Sequence, residues 1–457
     1  MNSTHSRLRS IVLLAVLFSP LPIGVMQYVG EESIYAIKTY EMFHSSSYFM
    51  TTLYGREWPH GVLFHWLAIP LARVLGWAHL DVAIRLVSVL ASAISALVAA
   101  GTARWLFPQH KYAPWLAAAV YLSMGEVAFW YGWLGHVDAL FAMFIFGAIA
   151  ALWRALAERR MGWWLVALLS IDLAFLTKNI TAFAFFGLAG LVLMKRLHRF
   201  DMLRSWTFLL SGAVALFVPF AFQHVTQSAA STGSISQTLL WDIPRALVGG
   251  GWQGLIKHVV GQPAVLLFRA LPISLFLLYL WLRKRQRWRM GEAERTLAWM
   301  IFVCFVPVWF PSGTSPRYLV PLYGPVALLL TALLLQLDRT RLRQAMTLML
   351  VVIMVKLPYS LFILPALKDW WPGNDIKAVA HEVLAQIGDA PLYTRNEVPD
   401  GYSIAAYIDA WRQRDPVLWY RGQRGVYVLA QRPSHFGRLI KTWRLRGDIV
   451  YLYYVPR

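Results

Sequence analysis

The sequence predicts an all-α polytopic membrane protein of about eleven spans (range 10–13) that ends in a small soluble α/β domain. Three observations predict it. Of 457 residues, 58% are hydrophobic and 14% charged, too little charge for a soluble chain of this length. Stretches such as 205–222 and 318–337 hold no acidic or basic residue and approach the ~20 residues that cross a bilayer as helix. The apolar runs are continuous rather than alternating, which excludes a β-barrel.

The elements follow in order. Residues 10–29 sit behind a basic start, and no small-x-small cleavage site precedes the next polar stretch. They are therefore read as a retained first span, not a cleaved signal peptide. Further spans are expected at 81–105, 113–131, 137–155, 162–177, 180–194, 205–223, 263–282, 296–311, 318–337 and 344–366. The apolar segment 62–77 is short and carries Pro70 and Arg73, so it is expected to lie at the outer surface or to re-enter. Basic clusters fix the orientation: Arg154, Arg159 and Arg160; Lys195, Arg196, Arg199 and Arg204; Arg283, Lys284, Arg285, Arg287 and Arg289; Arg339, Arg341 and Arg343. An even number of spans separates each consecutive pair, so all can lie inside, with Arg7 and Arg9.

An odd count then puts the C-terminus outside. Residues 1–366 are expected to form the membrane domain, with outer loops 30–80 and 224–262, and 367–457 an outer soluble domain. In that tail, 375–387 has helical period, and 391–394, 425–430 and 448–455 read as strands bounded by turn residues. The expected location is the inner (plasma) membrane, multi-pass, with the working face and tail outside or periplasmic.

The net charge of +20 would point to nucleic acid on a soluble protein. Here the basic residues crowd into short loops, so no nucleic-acid partner is expected. The single Cys304 lies in an apolar run and allows no disulfide within the chain.

The polar gap Gly30-Glu31-Glu32-Ser33-Ile34-Tyr35 places two carboxylates just outside the first span, where a membrane enzyme can keep an acid/base group. Tyr35, Lys38, Tyr40 and Glu41 continue at helical spacing, followed by Arg56-Glu57-Trp58-Pro59-His60. The plain alternative is a solvated surface helix with interfacial aromatics. Asp138, at an outer helix start, is either a cap or a functional carboxylate. Lys178 and Arg317, the latter beside Tyr318, are cations on the side that usually lacks them; they either snorkel to headgroups or bind a lipid-linked phosphate. His224 and His258 lie in the large outer loop, and no His/Cys spacing marks a zinc site by itself. Glu126 and Asp172 stand inside spans, where carboxylates are rare.

In these residues the chain resembles the GT-C glycosyltransferases of the protein-mannosyltransferase and aminoarabinose (lipid A) transferase type. The resemblance runs through Glu31-Glu32-Ser33-Ile34-Tyr35-Ala36, Leu53-Tyr54-Gly55-Arg56-Glu57-Trp58-Pro59, His65-Trp66-Leu67, Asp138, the Leu-Thr-Lys motif ending at Lys178, and Pro316-Arg317-Tyr318-Leu319-Val320-Pro321, in the same order over residues 10–340. It implies transfer of a sugar from a polyprenyl-phosphate carrier to a lipid, glycan or protein acceptor on the outer face of the membrane. It implies that Glu31 and Asp138 are catalytic and that Glu32, Tyr35, Arg56, Lys178, Arg317 and Tyr318 bind substrate. Glu57 and His258 are the implied ligands of a divalent metal (Zn, Mg or Mn), the one cofactor expected. Three positions depart from the pattern: Glu31 replaces Asp, Ile34 replaces Arg and Trp58 replaces Lys. Two phosphate-facing cations are thereby lost, and Arg56, Lys178 and Arg317 are the candidates to replace them.

Three other readings compete, the first a non-catalytic lipid-binding or scaffold protein, which should tolerate Glu31→Ala better than an enzyme. A secondary transporter would carry inverted repeats and mid-span charges; no repeat stands out, and the charges gather at outer span ends. A glycan polymerase or ligase would place its key Arg and His in large late loops.

Overall fold

A computed structural model describes residues 2–58, 61–226, 251–309, 316–369, 374–445 and 448–457. The chain divides into two compact units. One comprises residues 1–19, 88–133 and 137–356; the other comprises 20–87, 134–136 and 357–457.

The first unit is a helical bundle. At its centre is helix Val137–Glu158, apolar almost all round and therefore buried on most faces. It turns at Arg159, which adopts a left-handed φ of 54°, into Met161–Thr177, which packs antiparallel against it. Thr181–Leu197 and the helices Ala113–Ser123, Glu292–Val303 and Tyr323–Leu334 complete a core in which Phe146, Ile149, Leu152, Ile171, Leu193 and Leu297 are buried. Gly324 is needed at one crossing, because a Cβ there would meet the Phe146 ring at 2.4 Å.

Each of the eleven apolar segments read from the sequence contains a helix, but the helices differ in length. Among the described residues, four are long and apolar enough to cross a membrane: Trp77–Leu106, Val137–Glu158, Arg317–Leu334 and Arg339–Lys368. A fifth candidate is a pair, Val259–Arg269 and Ile273–Lys284, bent by 107° where Pro272 stands between them. Segment 113–131 is likewise broken, into Ala113–Ser123 and Gly125–Phe129. These two breaks meet: the Gly125 N–H donates to the Leu271 carbonyl at 2.8 Å. Backbone groups freed by a break in lipid must find protein partners, and here they find each other.

The second unit contains helix Glu32–His44, a two-stranded hairpin (β1, Thr52–Leu53; β2, Arg56–Glu57), helix Leu63–Leu75 and a five-stranded mixed sheet. The sheet strands are β3 (Leu392–Arg395), β4 (Leu418–Trp419), β5 (Val426–Ala430), β6 (Arg438–Arg444) and β7 (Ile449–Val455), in the order β4-β3-β5-β7-β6. β3 pairs parallel with β4 and β5, and β7 runs antiparallel to β5 and β6. A parallel pair needs a crossover, and helix Pro399–Arg412 supplies it. Edge strand β6 carries Arg438, Lys441 and Arg444 and is mostly exposed, the charged edge that discourages further pairing. Helix Ile376–Ile387 starts where the sequence period predicts it. The Asp375 side chain caps it by accepting from the Ala378 N–H at 2.9 Å, and Ile376, Val379, Ala380, Val383 and Ile387 form its buried stripe. Segment 62–77 forms Leu63–Leu75, 13 residues containing Pro70.

Candidate active site

The residues singled out by sequence fall into two groups, one in each unit. In the second unit they gather on helix Glu32–His44. Glu31 stands at its N-cap position and is exposed. Glu32, one residue on, is wholly buried, and its carboxylate is filled. Arg85 Nε donates to Oε1 at 2.9 Å and its terminal nitrogen to Oε2 at 2.7 Å; the Gly135 N–H reaches Oε1 at 2.6 Å and the Val29 N–H reaches Oε2 at 2.8 Å. Arg85 also donates to the carbonyls of Ile23, Met26 and Gln27, so it uses the guanidinium fork as a scaffold. Burial pushes the Glu32 carboxyl up, but the Arg85 charge and these hydrogen bonds outweigh it and hold it below the usual range. Gly135 is required here: a Cβ would lie 2.7 Å from Ile84 and 3.3 Å from Glu32 Oε1.

One turn along, the half-buried Tyr35 ring lies between two imidazoles, His136 at 5.4 Å and His65 at 6.5 Å between centroids. His65 is fixed by Thr39, whose hydroxyl is 2.8 Å from Nδ1. Two turns below Glu31, Lys38 is buried with its ammonium 5.2 Å from the centre of the Trp58 ring. Burial pushes Lys38 down to about 7, against the pull of Glu41 and Glu31. Burial pushes Glu41 up to about 7, although the Thr52 hydroxyl and the Gly55 N–H donate to it. Arg56 pairs with Glu397 and lies 3.9 Å over the Trp419 ring. Glu57 is exposed on β2, opposite Thr52.

In the first unit, motif residues from three distant stretches of the sequence come together. Asp138 begins helix Val137–Glu158, and Lys178 Nζ donates to its Oδ1 at 2.6 Å. The same ammonium is 4.7 Å from the centre of the Tyr318 ring and 5.4 Å from that of Phe141. Arg317, next in sequence to Tyr318, has its guanidinium 5.8 Å from the centre of that ring. A second polar cluster sits at the helix breaks, where Arg269 donates to Glu126 at 2.6 Å and lies 5.9 Å from the Tyr131 ring.

Arg85 and Arg269 were not among the residues singled out by sequence. A signal was available, since an arginine inside an apolar stretch is rare and almost always paired. His258 belongs to a helix, but its side chain lies outside the described residues, as do Pro59, His60 and much of loop 224–262. Among the described residues no group of three or more His, Cys, Asp or Glu is placed to hold a metal ion. Of the two expected ligands, Glu57 is described and His258 is not.

Residues 59–222 match the family described as dolichyl-phosphate-mannose-protein mannosyltransferase. No curated protein sequence matches the chain. Among solved structures, the fold is similar to that of ArnT from Cupriavidus metallidurans bound to undecaprenyl phosphate, with a TM-score of 0.71 at 13% identity over 97% of both chains. The apo form of the same ArnT matches with a TM-score of 0.66 at 14% identity over 98% of both chains. The GT-C resemblance read from the sequence is borne out at the level of the fold, including the helical membrane part and the small C-terminal sheet domain.

Proposed function

We propose that the chain is a glycosyltransferase of the inner membrane that moves a sugar from a polyprenyl-phosphate carrier to a lipid, glycan or protein acceptor on the outer face. The observation that carries this reading is the full-length likeness to ArnT, which was solved with undecaprenyl phosphate, in a chain that presents Glu31 beside a locked Glu32. The matched mannosyltransferase segment points to the same reaction class.

Transfer makes a bond from the acceptor oxygen to the sugar's anomeric carbon and breaks the bond from that carbon to the carrier phosphate. The acceptor proton must go to a base, and the phosphate leaves with a gained negative charge. Glu31 is exposed at a helix start and suits the base. Glu32 cannot act without breaking four hydrogen bonds, so its role is to fix the loop that carries Glu31. Lys178, oriented by Asp138 and Tyr318, and Arg317 are the cations assigned to the phosphate; Tyr35 and Arg56 are assigned to the remaining substrate contacts. Glu57 and His258 are the residues assigned to a divalent metal (Zn, Mg or Mn), should one bind. Residues 1–366 are taken as the membrane part and 367–457 as a periplasmic domain.

Glu31→Gln keeps size and removes charge. With a purified variant and a synthetic polyprenyl-phosphate sugar, transfer is expected to fall at least ~10²-fold while the thermal unfolding midpoint stays in place. Near-normal turnover would refute the assignment. Mass spectrometry of envelope lipids and glycans with and without the protein would then name the sugar and the acceptor.

A further inference from the structure

A cavity of about 490 Å³ opens in the first unit, at the end of the bundle that carries the basic loops. That end is the one the positive-inside rule assigns to the cytoplasm. It lies just after helix Leu80–Leu106, between the end of helix Tyr323–Leu334 and the start of helix Glu292–Val303. Phe107 and Leu335 give it apolar wall, and His110, Arg287, Arg289 and Glu294 give it polar wall.

The cationic part is built rather than loose. Segment 285–290 leaves helix Ile273–Lys284 at Arg285, which adopts a left-handed φ of 48°. Gln336 then holds it by both ends of its amide: the Arg289 N–H donates to Oε1 and Nε2 donates to the Arg289 carbonyl, each at 2.9 Å. Arg341 donates to Gln286 and pairs with Asp338. The guanidiniums of Arg287 and Arg289 are thus presented from a pinned backbone, and both residues are exposed.

The lining charge is two arginines against one carboxylate, +2 − 1 = +1. The nearby Glu292 does not add to the opposing charge, since it pairs with Arg196 at 2.7 Å and Arg295 at 3.6 Å. Segment 283–291 holds five cations and no carboxylate, so the field at the mouth attracts anions. Guanidiniums beside amides and an apolar wall match a phosphate ester: the fork pairs with phosphate oxygens and the wall takes the ester's carbon part.

We propose that this cavity is a phosphate-ester site, placed at the basic-loop end of the bundle, that takes the headgroup of an anionic lipid or a soluble phosphate ester of similar size. It is a different site from the Lys178 and Arg317 cluster, and it stands or falls independently of the transfer reaction.

The test uses the delipidated full chain in detergent and counts retained lipid by native mass spectrometry. Wild type is expected to retain phosphatidylglycerol over phosphatidylcholine. Arg287→Gln with Arg289→Gln should lower that retention about tenfold or more. Arg283→Gln with Arg285→Gln removes the same charge outside the cavity and should leave it unchanged. Glu294→Gln removes the lining carboxylate and should raise it. Equal loss in both double variants would reduce the effect to diffuse surface charge and overturn the proposal, as would no loss in either. Glycerol phosphate as competitor sorts the source: displacement of the lipid assigns the site to a soluble ester, and failure to displace assigns it to the lipid headgroup.

Discussion

At the scale of single residues, two adjacent glutamates are set apart by burial, one exposed and one wholly buried. Glu32 lies within reach of Arg85, Gly135 and Val29, whereas Glu31 faces outward. Sequence could mark the pair but could not divide it, because the dividing partners lie 53 and 103 residues away. A pH signature belongs to the same helix. Glu41 binds its proton more tightly folded than unfolded, up to about 7. Between its ordinary value and about 7 the folded state holds more protons, so stability falls as pH rises through that window. Lys38, lowered to about 7, acts the opposite way above that point: the unfolded state holds more protons, and stability rises with pH toward the ordinary lysine value. Unfolding midpoints of the purified protein should therefore pass through a shallow minimum near pH 7, on the order of 1–3 kcal/mol deep. In Glu41→Gln the acid-side slope should vanish; a slope that survives the substitution would show that another group causes it. Lys178 offers a second residue-level test. Charge-assisted bonds to phosphate contribute roughly 1.5–3 kcal/mol, so Lys178→Met should weaken use of the lipid-linked sugar by about ten- to a hundredfold. The paired variant Lys178→Met with Asp138→Asn removes the stranded carboxylate and should recover folding but not donor use. An unchanged donor dependence in both would return Lys178 to the role of a structural partner of Asp138.

At the scale of elements, legibility followed burial pattern. Helix Ile376–Ile387 was readable because one face is buried and its cap is an aspartate. Helix Pro399–Arg412 was not, because residues 401–410 are buried on every side and leave no period to detect. Strand β6 escaped for the converse reason: nearly all of it is exposed, so its side chains show no alternation. Spans were visible as apolar runs, but their breaks were not, since hydropathy averages over Met124 and Pro272. The break itself is stabilised by an ion pair. Glu126 and Arg269 are largely buried and 2.6 Å apart, and removing one partner of such a pair costs about 3–5 kcal/mol, because the other charge stays behind. Arg269→Met should lower the unfolding midpoint strongly, and Arg269→Met with Glu126→Gln should restore most of it. If the double variant is no better than the single one, the arginine acts through packing against Tyr131 and not through its charge.

At the scale of the whole molecule, the side on which the sheet domain lies depends on parity, and parity depends on two elements. Leu63–Leu75 has 13 residues, about 20 Å of helix at 1.5 Å per residue, against a hydrocarbon core of about 30 Å. With Pro70 and Arg73 inside it as well, it is not counted as a crossing. The bent pair Val259–Arg269 and Ile273–Lys284 is the other. Counted as one broken span, it keeps the total at eleven and sends the C-terminus to the face opposite the basic loops. Turned back as a re-entrant loop, it would lower the total to ten, move the clusters at 283–289 and 339–343 to the outer face and leave the tail inside with Arg7 and Arg9. The charge pattern favours the first arrangement, because the clusters at 195–204 and 283–289 must both lie inside, and that needs two crossings between them. Protease added to sealed, right-side-out spheroplasts should therefore remove the chain from about residue 367 onward and spare loops 283–289 and 339–343. A tail that survives until the membrane is opened would place the sheet domain in the cytoplasm, make the bent pair re-entrant, and require the outer-face assignment of Glu31 to be tested afresh.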